Sequence, residues 1–193
     1  MNRVLFTLSL CTLAACGDTS IQGQVGVLTF DMSQATMVNS SDGTGLTTTF
    51  LVLSTDGDMC ETIANRSPIQ NNEAVIVQIG IGTGFGSGIA PPDAAGTYQI
   101  NPDFDELLGL KQASVVALGS GYCLDASTVN SASGGTVDLT HVEVDGSGLP
   151  QRLVGSITAD FSDGTITGTF DATLCTPQIQ SNLDFNVFSC SGQ

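Results

Sequence analysis

The 193-residue chain has no tryptophan, a single histidine and only four basic side chains. Each shortage excludes something. Without tryptophan, and with aromatics at 6% of residues, a sugar-stacking cleft has little to be built from. With one histidine, any Ser-His or Cys-His apparatus would have to use His141, and a multi-histidine metal site is ruled out. His141 sits mid-strand in Thr-Val-Asp-Leu-Thr-His-Val-Glu-Val, with no nucleophile-elbow motif around it, and reads as a strand residue. Four basic groups against nineteen acids give a net charge of −15. Such a surface repels nucleic acid and offers no basic patch to bind it. Helical periodicity is nearly absent, and after residue 16 no apolar run is long enough to cross a bilayer as a helix.

The beginning of the chain is different in kind. Met1-Asn2-Arg3 is a short positive segment, and Val4 to Leu13 is an apolar stretch too short for a membrane span. Leu13-Ala14-Ala15-Cys16-Gly17 follows. An ordinary signal-peptidase site needs small residues at the third and last positions before the cut, and Leu13 is not small. Leucine, two small residues and a cysteine instead form a lipobox. On these residues the chain resembles the bacterial lipoproteins processed by the type II signal peptidase. The resemblance implies cleavage before Cys16, acylation of that cysteine and attachment to a membrane through the lipid. Each buried CH₂ adds about 0.8 kcal/mol, so two or three acyl chains anchor stably where one does not. The inner-membrane retention signal, an Asp directly after the cysteine, is replaced by Gly17, which points to the outer membrane of the cell envelope. The expected organisation is a signal peptide at 1–15, a short lipidated tether at 16–22 and one β domain at 23–193.

Loss of the signal removes Cys11, and the lipid takes Cys16. Cys60, Cys123, Cys175 and Cys190 remain, an even set in an exported chain, so two disulfides are expected. Their spacing matches no zinc pattern. If strands at 165–174 and 183–188 paired as a hairpin, Cys175 and Cys190 would lie roughly 23 Å apart at about 3.3 Å per residue. A disulfide needs Cα atoms within about 7 Å, so that pairing is disfavoured. The other two connectivities, each joining an early to a late cysteine, stay open.

The body reads as short β-rich runs between Gly, Asp, Ser and Asn clusters. Strands are expected near 25–32, 46–54, 74–81, 97–100, 114–118, 136–144, 152–161, 165–174 and 183–188, with short helical turns after Cys60 and after Asp103. In the clearest hairpin, Ile157, Ala159, Phe161, Ile166, Gly168, Phe170 and Ala172 face inward across a Ser162-Asp163-Gly164 loop. Gly164 is expected there in the left-handed conformation. Leu46 to Leu53 carries apolar residues on both parities, as a strand covered on both sides would. The apolar phase switches between Val137/Leu139 and Val142/Val144, which predicts a bulge near Thr140–His141. The fold expected is all-β, an antiparallel β-sandwich of about eight or nine strands; a lipocalin-like β-barrel is the alternative.

Two further clusters bear on chemistry. Asp56 and Asp58 near Glu61, and Asp103 and Asp105 beside Glu106, place hard oxygens on loops that suit calcium, though neither fits the EF-hand spacing. The glycines from Gly80 to Gly96 lack both the spacing and the lysine of a phosphate loop and read as a long rim loop. The segments Gly135-Thr-Val-Asp-Leu-Thr140 and Gly168-Thr-Phe-Asp-Ala-Thr-Leu-Cys175 resemble the wording of many bacterial lipoproteins of uncharacterised role, and bring no activity with them. The function expected is therefore a non-enzymatic structural or partner-binding module of the envelope, meeting a protein or an envelope polymer and needing no cofactor. A barrel-type carrier of a small apolar ligand is the alternative.

Overall fold

The computed structural model describes residues 18–41, 47–55, 59–64, 73–84, 88–102, 108–118 and 130–175. Cys16, Cys123, Cys190, the four aspartates Asp56, Asp58, Asp103 and Asp105, and the expected strand at 183–188 lie outside the described residues, as does the turn expected after Asp103. The elements run β1 (Ser20–Val25), β2 (Leu28–Met32), β3 (Gln34–Ser41), β4 (Thr47–Ser54), α1 (Met59–Ala64), β5 (Ala74–Gly82), β6 (Ile89–Ala90), β7 (Gly96–Ile100), β8 (Lys111–Leu118), β9 (Asn130–Ser131), β10 (Gly134–Val144), β11 (Pro150–Phe161) and β12 (Gly164–Leu174).

Eight of these strands close into a barrel in the order β11-β10-β7-β8-β5-β4-β3-β12, and β12 pairs back onto β11. The all-β expectation holds, but the sandwich does not. A sandwich leaves each sheet with unpaired edges, whereas here the ring returns on itself. Alternation could not separate the two, because both architectures bury one face of every strand. Closure depends on a contact between distant parts of the chain: β12 meets β3 in parallel through Thr173↔Thr36 and Leu174↔Met37. A second parallel seam joins β7 to β8. These seams distinguish the barrel from the all-antiparallel, up-and-down lipocalin connectivity.

The inward-facing residues of all eight strands form one apolar cluster that includes Tyr98, Phe170, Met37, Leu51, Val77 and Leu153, all essentially fully buried. The β1–β2 hairpin, paired to the first half of β12, adds Ile21, Phe30 and Met32 to the same cluster. A second cluster lies on the outside of the wall, where Met59 and Ile63 of α1 cover Val38, Phe50, Val52 and Ile76. Strand β4 is thus buried on both faces, Leu51 and Leu53 toward the barrel interior and Phe50 and Val52 toward α1. A disulfide between Cys60 and Cys175 fastens this helix to the end of β12.

The expected bulge is present: the β10–β11 register shifts between Leu139 and His141. The β11–β12 turn is two residues long, Ser162-Asp163, because Phe161 pairs directly with Gly164. Gly164 is not left-handed; a Cβ there would lie 1.8 Å from the Gln24 carbonyl oxygen, so its role is to admit β1. The segment expected as one strand at 25–32 is split by a turn at Gly26-Val27, and β3 was not anticipated. The glycine-rich stretch is no uninterrupted loop, since β6 folds back onto the end of β5 and Thr83 N–H donates to the Gly88 carbonyl at 3.1 Å.

Candidate functional surface at the amino-terminal fork

The positions proposed from sequence separate sharply in the structure. His141 is exposed on the outer wall at the bulge. Cys60 and Cys175 come together as a disulfide with a Cα separation of 5.3 Å. Among the described residues no group of three or more His, Cys, Asp or Glu side chains is placed to hold a metal ion. Nor, among them, is any helix long and apolar enough to cross a membrane.

Polar groups inside the wall are partnered. At one mouth of the barrel, the fully buried Thr49 donates its hydroxyl to Asn39 Oδ1 at 2.8 Å, and Asn39 Nδ2 donates to the Pro150 carbonyl at 3.1 Å. Tyr98 is wholly buried, and its hydroxyl donates to the Ala94 carbonyl at 3.1 Å. Burial, with a smaller contribution from Asp93, pushes this phenol up to about 12. Lys111 Nζ lies 5.4 Å from the Tyr98 ring centroid and donates to the Ala95 carbonyl at 2.9 Å, tying down the chain that leads into β7. These groups brace the barrel. Each is committed to a neighbour, and none is aimed into an open interior.

The outer wall holds the most distinctive arrangement, on β12. In its first half this strand pairs with β1, ending at Ser20↔Thr169. In its last residues it pairs with β3, beginning at Thr36↔Thr173. Between the two partners the backbone N–H of Asp171 would lack an acceptor, and an unsatisfied N–H inside a sheet is costly. Thr19 supplies one: the Asp171 N–H donates to Thr19 Oγ1 at 3.2 Å. Thr169 Oγ1 in turn donates to the Asp18 carbonyl at 3.5 Å. Asp171 is also gripped from β11, where Arg152 Nε and Nη2 reach its two carboxylate oxygens in a bidentate pair.

The amino-terminal segment is therefore part of the wall from Asp18 onward. Asp18 itself is exposed on the outer surface, at a fork where β3 takes over from β1 as the neighbour of β12. Sequence reading placed a tether up to residue 22; strand pairing begins at Ser20. The signal for this fork was weak, since it needs the parallel β12–β3 seam to be known. Compared with protein-family models, curated proteins and solved structures, the chain matches none.

Proposed function

We propose that the chain is a lipid-anchored protein of the bacterial cell envelope, in the outer membrane, whose barrel works as a non-enzymatic binding or structural module through its outer surface. The observation that carries the surface-binding part is the occupied interior. Phe170, Tyr98, Met37, Leu51 and Leu153 of the ring strands pack into one apolar cluster and are essentially fully buried, which favours a packed core over a cargo space. Typical ligand pockets occupy about 300 Å³ or more. The address part is supported by the lipobox at Leu13–Cys16.

The carrier reading draws support from barrel closure itself and makes a separate demand. Native mass spectrometry of the mature protein would then show a stoichiometric co-purified apolar molecule; the filled interior predicts the bare polypeptide mass plus its lipid. For the anchor, palmitate labelling of the wild type against Cys16→Ser is decisive. Incorporation confined to the wild type is expected, and equal incorporation would defeat the anchor. Chemical cross-linking in intact envelopes, followed by purification, tests the binding role. A reproducible partner that survives in the wild type and is lost in Cys16→Ser is expected; recovery of the monomer alone would defeat the role.

A further inference from the structure

We infer that the mature protein is held side-on, with the outer face of β1 and β12 against the phospholipid headgroups, rather than upright on the Gly26-Val27 end of its barrel. This rests on lipidation of Cys16. Given that lipid, only Gly17 stands between the anchored residue and Asp18. Two Cα–Cα steps span at most about 7 Å whatever their conformation. The polar headgroup layer on each side of a bilayer is of the same order, roughly 5–7 Å. The Asp18 carbonyl, fixed to Thr169 Oγ1, must then lie at the membrane surface.

Position along the wall decides the orientation. The fork lies at Thr169–Asp171, within β12 and not at its tip. The Gly26-Val27 turn at one end is level with Gly164, where Val25 pairs. That is about six residues from the fork, or about 20 Å at 3.3 Å per residue. The Asp145–Leu149 loop at the other end stands beyond Arg152↔Thr173, on the far side of the fork. A tether of about 7 Å cannot let the barrel stand on the Gly26-Val27 end while Asp18 stays pinned to β12.

The chemistry of this face suits such a contact. Its outward residues Ser20, Gln22, Gln24, Thr165, Thr167 and Thr169 are all exposed and uncharged, in a chain of net charge −15. Hydroxyls and amides can donate to phosphate and ester oxygens without the repulsion that carboxylates would meet. Of the acids around it, Asp18 at the fork and Asp163 in the turn are exposed, Asp171 is paired with Arg152, and Asp31 and Asp160 are engaged by neutral neighbours. Gln22 Nε2 donates to Asp31 at 3.5 Å, and the Thr165 hydroxyl donates to Asp160 at 3.2 Å. In the ring order, β8 lies opposite β12, so side-on docking turns the β8 wall toward solvent or toward a partner.

The test uses the lipidated full-length protein in vesicles of phosphatidylethanolamine and phosphatidylglycerol. Thr167→Cys, Val27→Cys and Ser147→Cys, each labelled without reductant with an environment-sensitive dye, report the wall and the two ends. All three positions are exposed. Quenching by headgroup-labelled lipid should be several-fold stronger at Thr167→Cys than at either end. Equal quenching, or stronger quenching at Val27→Cys or Ser147→Cys, would overturn the inference. A flexible Gly-Ser insert of about ten residues between Gly17 and Asp18 adds a reach of about 17 Å and should erase the contrast. If the contrast survived the insert, the short tether would not be its cause, and the inference would fall. Vesicle binding that is absent, or unchanged in Cys16→Ser, would instead defeat the anchor reading, and the two failures are distinguishable.

Discussion

Cys60, in the short helix α1, is disulfide-bonded to Cys175, the residue that follows β12, across 115 residues of sequence. The bond joins the cover of the outer cluster to the strand that closes the ring. A crosslink of that span stabilises chiefly by restricting the unfolded chain, by about 4–5 kcal/mol in the chain-entropy model. Cys60→Ser should lower stability by an amount of that order, read as a lower urea midpoint. Helix α1 should loosen first, seen as faster amide exchange at Ile63 than in the barrel strands. With Cys60 and Cys175 committed, Cys123 and Cys190 are the remaining even pair of the body. Non-reducing peptide mapping should recover them as one crosslinked species, with no titratable thiol in the mature protein.

Tyr98 provides a pH test with a defined sign. Its hydroxyl is buried, and its pKa is raised to about 12 in the folded protein. An unfolded tyrosine ionises near 10, so below that value both states hold the proton and stability is unaffected. Between about 10 and 12 the unfolded chain ionises while the native one resists, and stability falls. Two units correspond to about 2–3 kcal/mol. Alkaline unfolding followed by circular dichroism should therefore be steep in the wild type and flatter in Tyr98→Phe. Phenolate absorbance should rise together with unfolding at Tyr98, the second tyrosine, Tyr122, being subtracted with the Tyr98→Phe variant.

How much of this was legible in the sequence depends on the range of the interaction. The alternation of Ile157, Ala159 and Phe161, and the phase switch at His141, report local pleating, so the hairpin faces and the bulge could be read directly. The two-sided apolarity of Leu51 and Val52 likewise foretold a strand with two covers. Strand β3 was missed because Ala35, Thr36, Met37 and Val38 show no clean alternation, Met37 and Val38 being buried in different clusters. Gly26-Val27 puts an apolar residue in the turn, where Val27 is almost fully exposed, and the uninterrupted apolar run hid the break between β1 and β2. Barrel closure and the fork at Asp171 rest on the parallel β12–β3 seam, a pairing between segments more than a hundred residues apart that carries no local signature.

Glycine at two β10–β11 positions is required by close approach. Gly155 pairs opposite Phe170, and a Cβ there would lie 2.3 Å from the Asp138 carbonyl oxygen and 3.1 Å from Phe170 Cζ. Gly135 has φ +113°, a conformation that other residues rarely adopt, and its Cβ would lie 2.0 Å from the Thr158 carbonyl oxygen. Gly135→Ala and Gly155→Ala should each cost about 1–3 kcal/mol by forcing the two strands apart. Phe170→Ala, which empties the core, should cost about 3–5 kcal/mol. Urea titrations should show lower midpoints with little change in slope for all three.

Asp145 gives the acid counterpart. Its Oδ1 accepts from Ser147 Oγ at 2.6 Å, Ser147 N at 2.8 Å and Leu149 N at 3.0 Å, closing the β10–β11 loop on itself. These hydrogen bonds, the Ser147 hydroxyl first among them, hold the carboxyl below its ordinary range. A depressed pKa means that the loop's contribution is present above the unfolded value near 3.9 and is lost as the pH falls through the folded value. Amide exchange at Ser147 and Leu149, corrected for its intrinsic pH dependence, should be protected at neutral pH and lose protection only in strong acid. Asp145→Asn removes the charge at every pH but keeps one acceptor oxygen. Its loop should show reduced protection already at neutral pH and no further acid step. An acid step retained in Asp145→Asn would assign the transition to another carboxylate.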